Sequence, residues 1–81
     1  MKIEVLFFAQ LREAVGCERK TLDVADGATV EECVAVIRRW PEWDSVSRIP
    51  LTYAVNERIV DGRHPLSEGD RLALLTPISG G

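Results

Sequence analysis

Apolar and polar residues alternate near both ends of this chain. In the middle of the chain, apolar residues recur instead at the spacing of one face of an α-helix. The first alternating run covers residues 2–9. Ile3, Val5 and Phe7 fall on one face of that run and the residues between them fall on the other, which is typical of a strand. Residues 19–24 alternate in the same way and predict a second strand that pairs back on the first as a hairpin.

The helical spacing predicts one main helix over about residues 29–40. Thr29 and Glu32 have the separation of a capping box, in which each side chain accepts a hydrogen bond from the other residue's backbone N–H. Pro41 ends the helix, because the residue before a proline is pushed out of the helical conformation. The apolar positions that define the buried face of this helix are Val30, Cys33, Val34, Ile37 and Trp40.

The remaining segments are short. Residues 10–15 predict a helical turn that Gly16 ends. Residues 41–50, which contain Trp43, read as a loop. The other predicted strands are residues 51–55, a short piece at 59–60, and residues 71–75.

This order of elements predicts an α+β fold, with a mixed sheet of four to five strands and one main helix across it. The first and last strands are the most continuously apolar, so we expect them to be parallel neighbours at the centre of the sheet. The folded domain is expected to cover residues 1–76, and residues 77–81 are expected to form a flexible tail that ends in two glycines.

Composition excludes several functions. Charged residues make up 28% of the chain and its formal net charge is -3, without the basic stripe that nucleic-acid binding requires. The longest apolar run, residues 5–9, is too short to span a bilayer, and the first residues lack a signal-peptide pattern. The expected location is therefore cytoplasmic. Cys17 and Cys33 are then expected to be reduced thiols, with a disulfide as the alternative.

The sequence contains no pattern that predicts a metal, cofactor or catalytic site. The cysteines lack metal-ligand spacing, and His64 is the only histidine. The serines have no nucleophile-elbow context, and the glycines form no phosphate-binding loop. We therefore expect a chain that binds no metal or cofactor and catalyses no reaction itself.

The end of the chain is the one candidate for chemistry. Gly80 and Gly81 follow the last predicted strand closely, after a segment that contains Pro77. Such a tail fits a narrow channel, because glycine lacks a Cβ, and residues 76–81 reach about 20 Å when extended. We expect the Gly81 carboxylate to be the working group, activated in another protein's active site. The alternative is an ordinary frayed terminus.

Four stretches carry a resemblance to a known family: residues 5–13, 54–56, 64–70 and 73–81. In these stretches the chain resembles the small, sulfur-carrying subunits of molybdopterin synthase, which are ubiquitin-like β-grasp proteins. The opening Leu-Phe-Phe-Ala-x-Leu-Arg-Glu segment is the most discriminating of the four. Members of this family usually carry Pro-Pro before the tail, where this chain has Thr76-Pro77.

The resemblance implies a specific chemistry for the terminal glycine. A ubiquitin-activating type of adenylyltransferase uses ATP and magnesium to adenylate Gly81, and a sulfur donor enzyme converts the adenylate to a thiocarboxylate. The large, catalytic synthase subunit then binds the tail, and the sulfur passes to cyclic pyranopterin monophosphate to form the molybdopterin dithiolene. Gly80 provides flexibility next to the reacting residue.

The resemblance and the strand pattern together indicate a partner-binding face. Phe8 and Leu75 point outward by strand alternation, and Ile59 lies on the short strand. An exposed apolar patch of this kind marks an interface. The alternative is that one or more of these residues, Ile59 above all, belongs to the core. The further residues expected to bind the partner are Pro77, Ile78 and Ser79 in the tail.

Three other functions remain open from the sequence. The same tail chemistry could serve thiamine synthesis or another thio-cofactor pathway. A ubiquitin-like protein modifier would instead form isopeptide bonds with lysines. A plain binding module would not use the tail at all.

Overall fold

The computed structural model describes residues 1–77, and these form a five-stranded sheet, two α-helices and one 3₁₀ helix. The two helices are α1 (Ala9–Val15) and α2 (Val30–Ile37), and the 3₁₀ helix is Pro41–Val46. The strands are β1 (Lys2–Phe7), β2 (Arg19–Asp23), β3 (Thr52–Val55), β4 (Arg58–Val60) and β5 (Arg71–Leu75).

The strands lie in the order β2-β1-β5-β3-β4. β1 and β5 are parallel neighbours, and every other pair is antiparallel. β5 is therefore the central strand, and the predicted adjacency of the first and last strands is confirmed. The predicted α+β class is confirmed as well, because α2 covers one face of this mixed sheet.

The predicted capping box is present at the start of α2. The Glu32 N–H donates to the Thr29 hydroxyl at 3.2 Å, and the Thr29 N–H donates to the Glu32 carboxylate at 2.9 Å. The helix ends at Ile37, however, and not near residue 40 as predicted. The Trp40 N–H donates to the Ile37 carbonyl three residues back, which tightens the chain out of the α-helical pattern before Pro41.

The prediction that residues 41–50 form a loop is wrong in its first half, which is the 3₁₀ helix. Pro41 takes the first position of that helix, where its missing N–H removes no hydrogen bond. Trp43 is only 1% exposed, and its ring centroid lies 6.5 Å from that of Phe7. Trp40 is half-buried beside the same phenylalanine, so it borders the core. Its ring also contacts the Lys20 ammonium group.

One core fills the space between the sheet and the helices. Cys33 lies inside it, as predicted, and burial raises the pKa of its thiol, which keeps the thiol protonated and unreactive. Both cysteines are free thiols, so the disulfide alternative is wrong. The core consists of Ile3, Val5, Phe7, Leu11, Val30, Cys33, Val34, Ile37, Trp43, Val46, Val55, Leu66, Leu72 and Leu74.

Candidate functional site

The face of the sheet opposite α2, called the outer face here, carries one continuous row of side chains across all five strands. Residues that are cross-strand partners point to the same face, so the pairing register defines this row. It is about 19 Å wide, from four strand spacings of about 4.8 Å. From edge to edge, the row consists of Arg19, Leu6, Ala73, Ala54 and Ile59.

Phe8 adds a large aromatic ring to the outer face. It lies one residue beyond β1 in an extended conformation, so it continues the strand alternation, and its side chain is 46% exposed. Its carbonyl accepts the N–H groups of Leu11 and Arg12, at 3.0 and 3.3 Å, which begins α1. The chain turns sharply after it, since Ala9 has a φ of +48°. The outward position of Phe8 is as predicted, and its role in binding stays a prediction.

Ile59 and Leu75 differ in exposure although they share the outer face. Ile59 is 68% exposed, so the alternative that it belongs to the core is wrong. It lies opposite Ala54, whose small side chain leaves Ile59 standing above the sheet. Leu75 is half-buried and lies opposite Thr52 at the end of β5. Ile59 ends the row and Leu75 lies beside it, and their contacts with a partner stay a prediction.

The point at which the chain leaves β5, called the base of the tail here, lies next to Phe8. Phe7 and Leu74 are register partners in the parallel pair, so Phe8 and Leu75 follow side by side. β5 ends at Leu75, and Pro77 is exposed beyond it. The chain therefore leaves the sheet at the corner where the aromatic ring is presented. The predictions for Ile78, Ser79, Gly80 and Gly81 lie outside the described residues.

Charged side chains surround the β2 end of the row. Glu4 is held between two arginines: its Oε1 lies 3.1 Å from Arg71 Nε, and its Oε2 lies 3.9 Å from an Arg19 terminal nitrogen. Arg12 pairs separately with Glu18 at 3.4 Å. These five residues line a shallow depression together with Leu6, Phe7 and Phe8.

A second depression on the outer face lies over the start of β5. It shares Leu6, Phe8 and Arg71 with the first, and Ala73 forms part of its floor. Asn56 borders it and fixes the strand start, because its side chain accepts from the Arg71 N–H at 3.0 Å and donates to Asp70 at 2.9 Å. Leu6 and Phe8 therefore line both depressions.

The described part of the chain, residues 1–77, has no cluster of histidine, cysteine or carboxylate side chains that could hold a metal ion. No helix among these residues is long and apolar enough to cross a membrane. His64 lies half-buried in a loop, where its carbonyl accepts the Val30 N–H at the start of α2. What the geometry offers is a surface for a partner beside the base of the tail.

The partner-binding residues expected from the sequence did not include three members of this face: Leu6, Arg19 and Arg71. The alternation of β1 already placed Leu6 on the same side as Phe8, so this residue was available from the pattern. The position of Arg19 in the row follows only from the antiparallel register of β1 and β2, which the sequence does not specify.

Comparisons with known proteins agree with this architecture and define its class. SAMP1 from Haloferax volcanii superimposes with a TM-score of 0.84 at 26% identity, over the full length of both chains. A chain in the complex of subunits 1 and 2 of molybdopterin-converting factor from Helicobacter pylori is 26% identical over both full lengths, with a TM-score of 0.74. These similarities confirm the predicted ubiquitin-like β-grasp fold.

The family follows from the sequence matches. The ThiS family profile matches residues 5–81, and the chain belongs to that family. It is 37% identical to the molybdopterin synthase sulfur carrier subunit of Chlamydomonas reinhardtii over the whole of both chains. It is 40% identical to the protein of the same name from Escherichia coli, over 98% of this chain and 99% of that one. The resemblance read from the four stretches is confirmed.

Proposed function

We propose that this chain is the sulfur carrier subunit of a molybdopterin synthase, which delivers sulfur for molybdenum cofactor biosynthesis from its terminal glycine. The observation that carries the proposal is the match over the full length to relatives named as molybdopterin synthase sulfur carrier subunits. Their name describes a carrier, in agreement with the expectation that this chain is a non-catalytic subunit.

The proposed chemistry takes place at the Gly81 carboxylate. A carboxylate oxygen attacks the α-phosphorus of ATP in a ubiquitin-activating type of adenylyltransferase, with magnesium bound to that enzyme, and pyrophosphate leaves. A sulfur donor enzyme then supplies sulfur at the oxidation level of sulfide, which attacks the carbonyl carbon and displaces AMP. The product is a thiocarboxylate, whose ionised sulfur is a nucleophile. No ATP, magnesium or other cofactor is held by this chain in the proposal.

The proposed transfer takes place on the large synthase subunit. The tail, with Pro77, Ile78 and Ser79 in contact with that subunit, presents the sulfur to cyclic pyranopterin monophosphate. In each transfer the thiocarboxylate sulfur bonds to the pterin precursor, and water then attacks the Gly81 carbonyl carbon and breaks its bond to sulfur. The sulfur stays on the pterin and the carrier is left with a glycine carboxylate, so two carriers supply one dithiolene. The large subunit provides the acid and base groups, and Gly80 lets the backbone approach closely because it lacks a Cβ.

The geometry of the described residues supports this division of labour. The chain leaves the central strand beside Phe8, so one partner can cover the outer face and receive the tail at the same time. A complex of the two subunits of molybdopterin-converting factor is known from Helicobacter pylori. By analogy, the large subunit is the partner we assign to the face formed by Phe8, Ile59 and Leu75.

A second candidate function is protein modification. The likeness to SAMP1, which is also described as small archaeal modifier protein 1, favours it. In that role the activated glycine forms an isopeptide with a lysine amine instead of accepting sulfur. A tagged chain recovered from its native cells would then be attached to other proteins at higher mass, and sulfur transfer to a pterin would be absent. If the chain instead supplies sulfur for thiamine or another thio-cofactor, the same thiocarboxylate would donate its sulfur to a different acceptor.

Deletion of Gly81 tests the proposed function. The shortened chain and the full chain are each converted chemically to the thiocarboxylate at the last residue, and dithiolene formation is measured with purified large subunit. We expect the shortened chain to lose at least 10²-fold in rate, because its sulfur is drawn back by about 3.5 Å and displacements of about 1 Å already reduce rates by that factor.

The melting curve of the shortened chain is the control for this deletion. We expect its melting temperature to match that of the full chain, because Gly81 follows the last strand in the sequence and the core described above is formed by residues 3–74. Full activity in the shortened chain would contradict the assignment of the reacting sulfur to residue 81. Failure of the thiocarboxylated full chain to form dithiolene would contradict the sulfur-carrier proposal. A large fall in melting temperature would instead show that the terminal residue is part of the fold.

A further inference from the structure

The two ends of the outer-face row differ in chemistry. At the β4 edge the row ends in Ile59, an aliphatic side chain that is 68% exposed. At the β2 edge it ends in Arg19, a guanidinium side chain that is 64% exposed. The residues between these ends are apolar. A partner that covers the row therefore contacts an aliphatic side chain at one edge and a positive charge at the other.

Among the described residues, most N–H donors of the Arg19 side chain have no protein acceptor. Its ion pair within residues 1–77 is the 3.9 Å contact with Glu4 Oε2, which is longer than a hydrogen bond. The other oxygen of Glu4 lies 3.1 Å from Arg71 Nε. Since each guanidinium carries five N–H donors, one carboxylate cannot satisfy two arginines.

Local charge at this end of the row has the opposite sign to that of the whole chain. Arg19 and Arg71 with Glu4 between them leave one net positive charge, while the chain as a whole carries -3. Arginine is enriched at protein interfaces, whereas burial of a guanidinium against an apolar surface without a carboxylate is unfavourable. A partner that covers this end must therefore supply negative charge.

We propose that the row is a polarised docking surface, on which the large synthase subunit places a carboxylate against Arg19 and an apolar side chain against Ile59. This inference rests on the proposed function for the identity of the partner. The large subunit is the occupant assigned, because it must hold the tail, whose base lies at the same face beside Phe8. The unlike ends of the row then set the orientation in which the partner binds.

The test compares two charge reversals that change the net charge equally. Arg19→Glu alters the row, while Arg39→Glu alters an exposed residue in the turn that follows α2, on the other side of the sheet. Association rates with purified large subunit are measured at low salt and at about 1 M salt, where the Debye length falls to about 3 Å. Melting curves confirm that each variant is folded.

We expect Arg19→Glu to slow association by about 10-fold at low salt and Arg39→Glu by no more than about twofold. The difference between the variants should shrink at high salt. Equal association rates for the two variants would contradict the inference and leave the proposed function standing. Failure of the wild-type chain to bind the large subunit would contradict both.

A milder substitution keeps the test decisive if the charge reversal at Arg19 prevents folding. Arg19→Gln removes the charge and retains a polar side chain of similar length. We expect it to slow association by about threefold at low salt, in the same salt-dependent manner. An association rate equal to that of Arg39→Gln would contradict the inference.

Discussion

Phe8 and Val36 are exposed to nearly the same extent, 46% and 45%, and they differ in what surrounds them. Phe8 lies on the outer face beside Leu75 and the base of the tail. Val36 lies on α2, on the other side of the sheet. Exposure alone therefore does not distinguish these two residues, whereas their positions relative to the tail do.

This contrast provides a matched pair of substitutions. Phe8→Glu should weaken binding to the large synthase subunit by about 100-fold or more, because a charge without a partner would be buried in an apolar interface. Val36→Glu should change the affinity by less than about twofold. Calorimetric titration of both folded variants checks the prediction, and equal affinities would show that the outer face is not the interface. If the Phe8→Glu variant were unfolded, Phe8 would instead be required for the stability of the fold.

At the scale of residues, the sequence could predict which side of a long strand a side chain takes. The outward position of Phe8 follows from strand periodicity over several residues, and the burial of Cys33 follows from helix periodicity in the same way. Ile59 could not be assigned, because β4 has only three residues and its alternation is too short to be read. Arg19 could not be placed opposite Leu6 either, since that pairing depends on hairpin register.

At the scale of elements, α2 shows what local sequence can determine. Its start was predictable because the capping box is a local arrangement of Thr29 and Glu32. Its end was not, because the turns between Ile37 and Pro41 depend on how Trp40 and Trp43 pack beside Phe7. Residues 41–46, which contain Trp43, form a 3₁₀ helix where the sequence predicted a loop.

The capping box can be tested with two substitutions at one position. Thr29→Ala should lower the free energy of unfolding by about 1 kcal/mol, because the Glu32 N–H loses its acceptor. For a domain of this size that corresponds to a fall of about 4–8 °C in melting temperature. Thr29→Ser retains a hydroxyl acceptor and should stay close to the wild type. Equal destabilisation by both substitutions would show that the hydroxyl cap does not stabilise α2.

At the scale of the whole molecule, sheet topology brings the parts of the site together. Because β5 is central and parallel to β1, the chain leaves the sheet beside Phe8, and the outer-face row runs past that corner. The apolar character of the two strands was enough to predict their adjacency. The row itself combines one residue from each of five strands, so it follows only when every register is known.

The central claim is that the terminal glycine carries sulfur, and the most direct test is the intact mass of the chain purified from its native cells. In cells that lack the large synthase subunit, the account predicts a species heavier by the difference between one sulfur and one oxygen atom. Fragmentation should place that difference on Gly81. Cells that lack the activating enzyme should yield only the carboxylate form. Identical carboxylate masses from both kinds of cell would contradict the account.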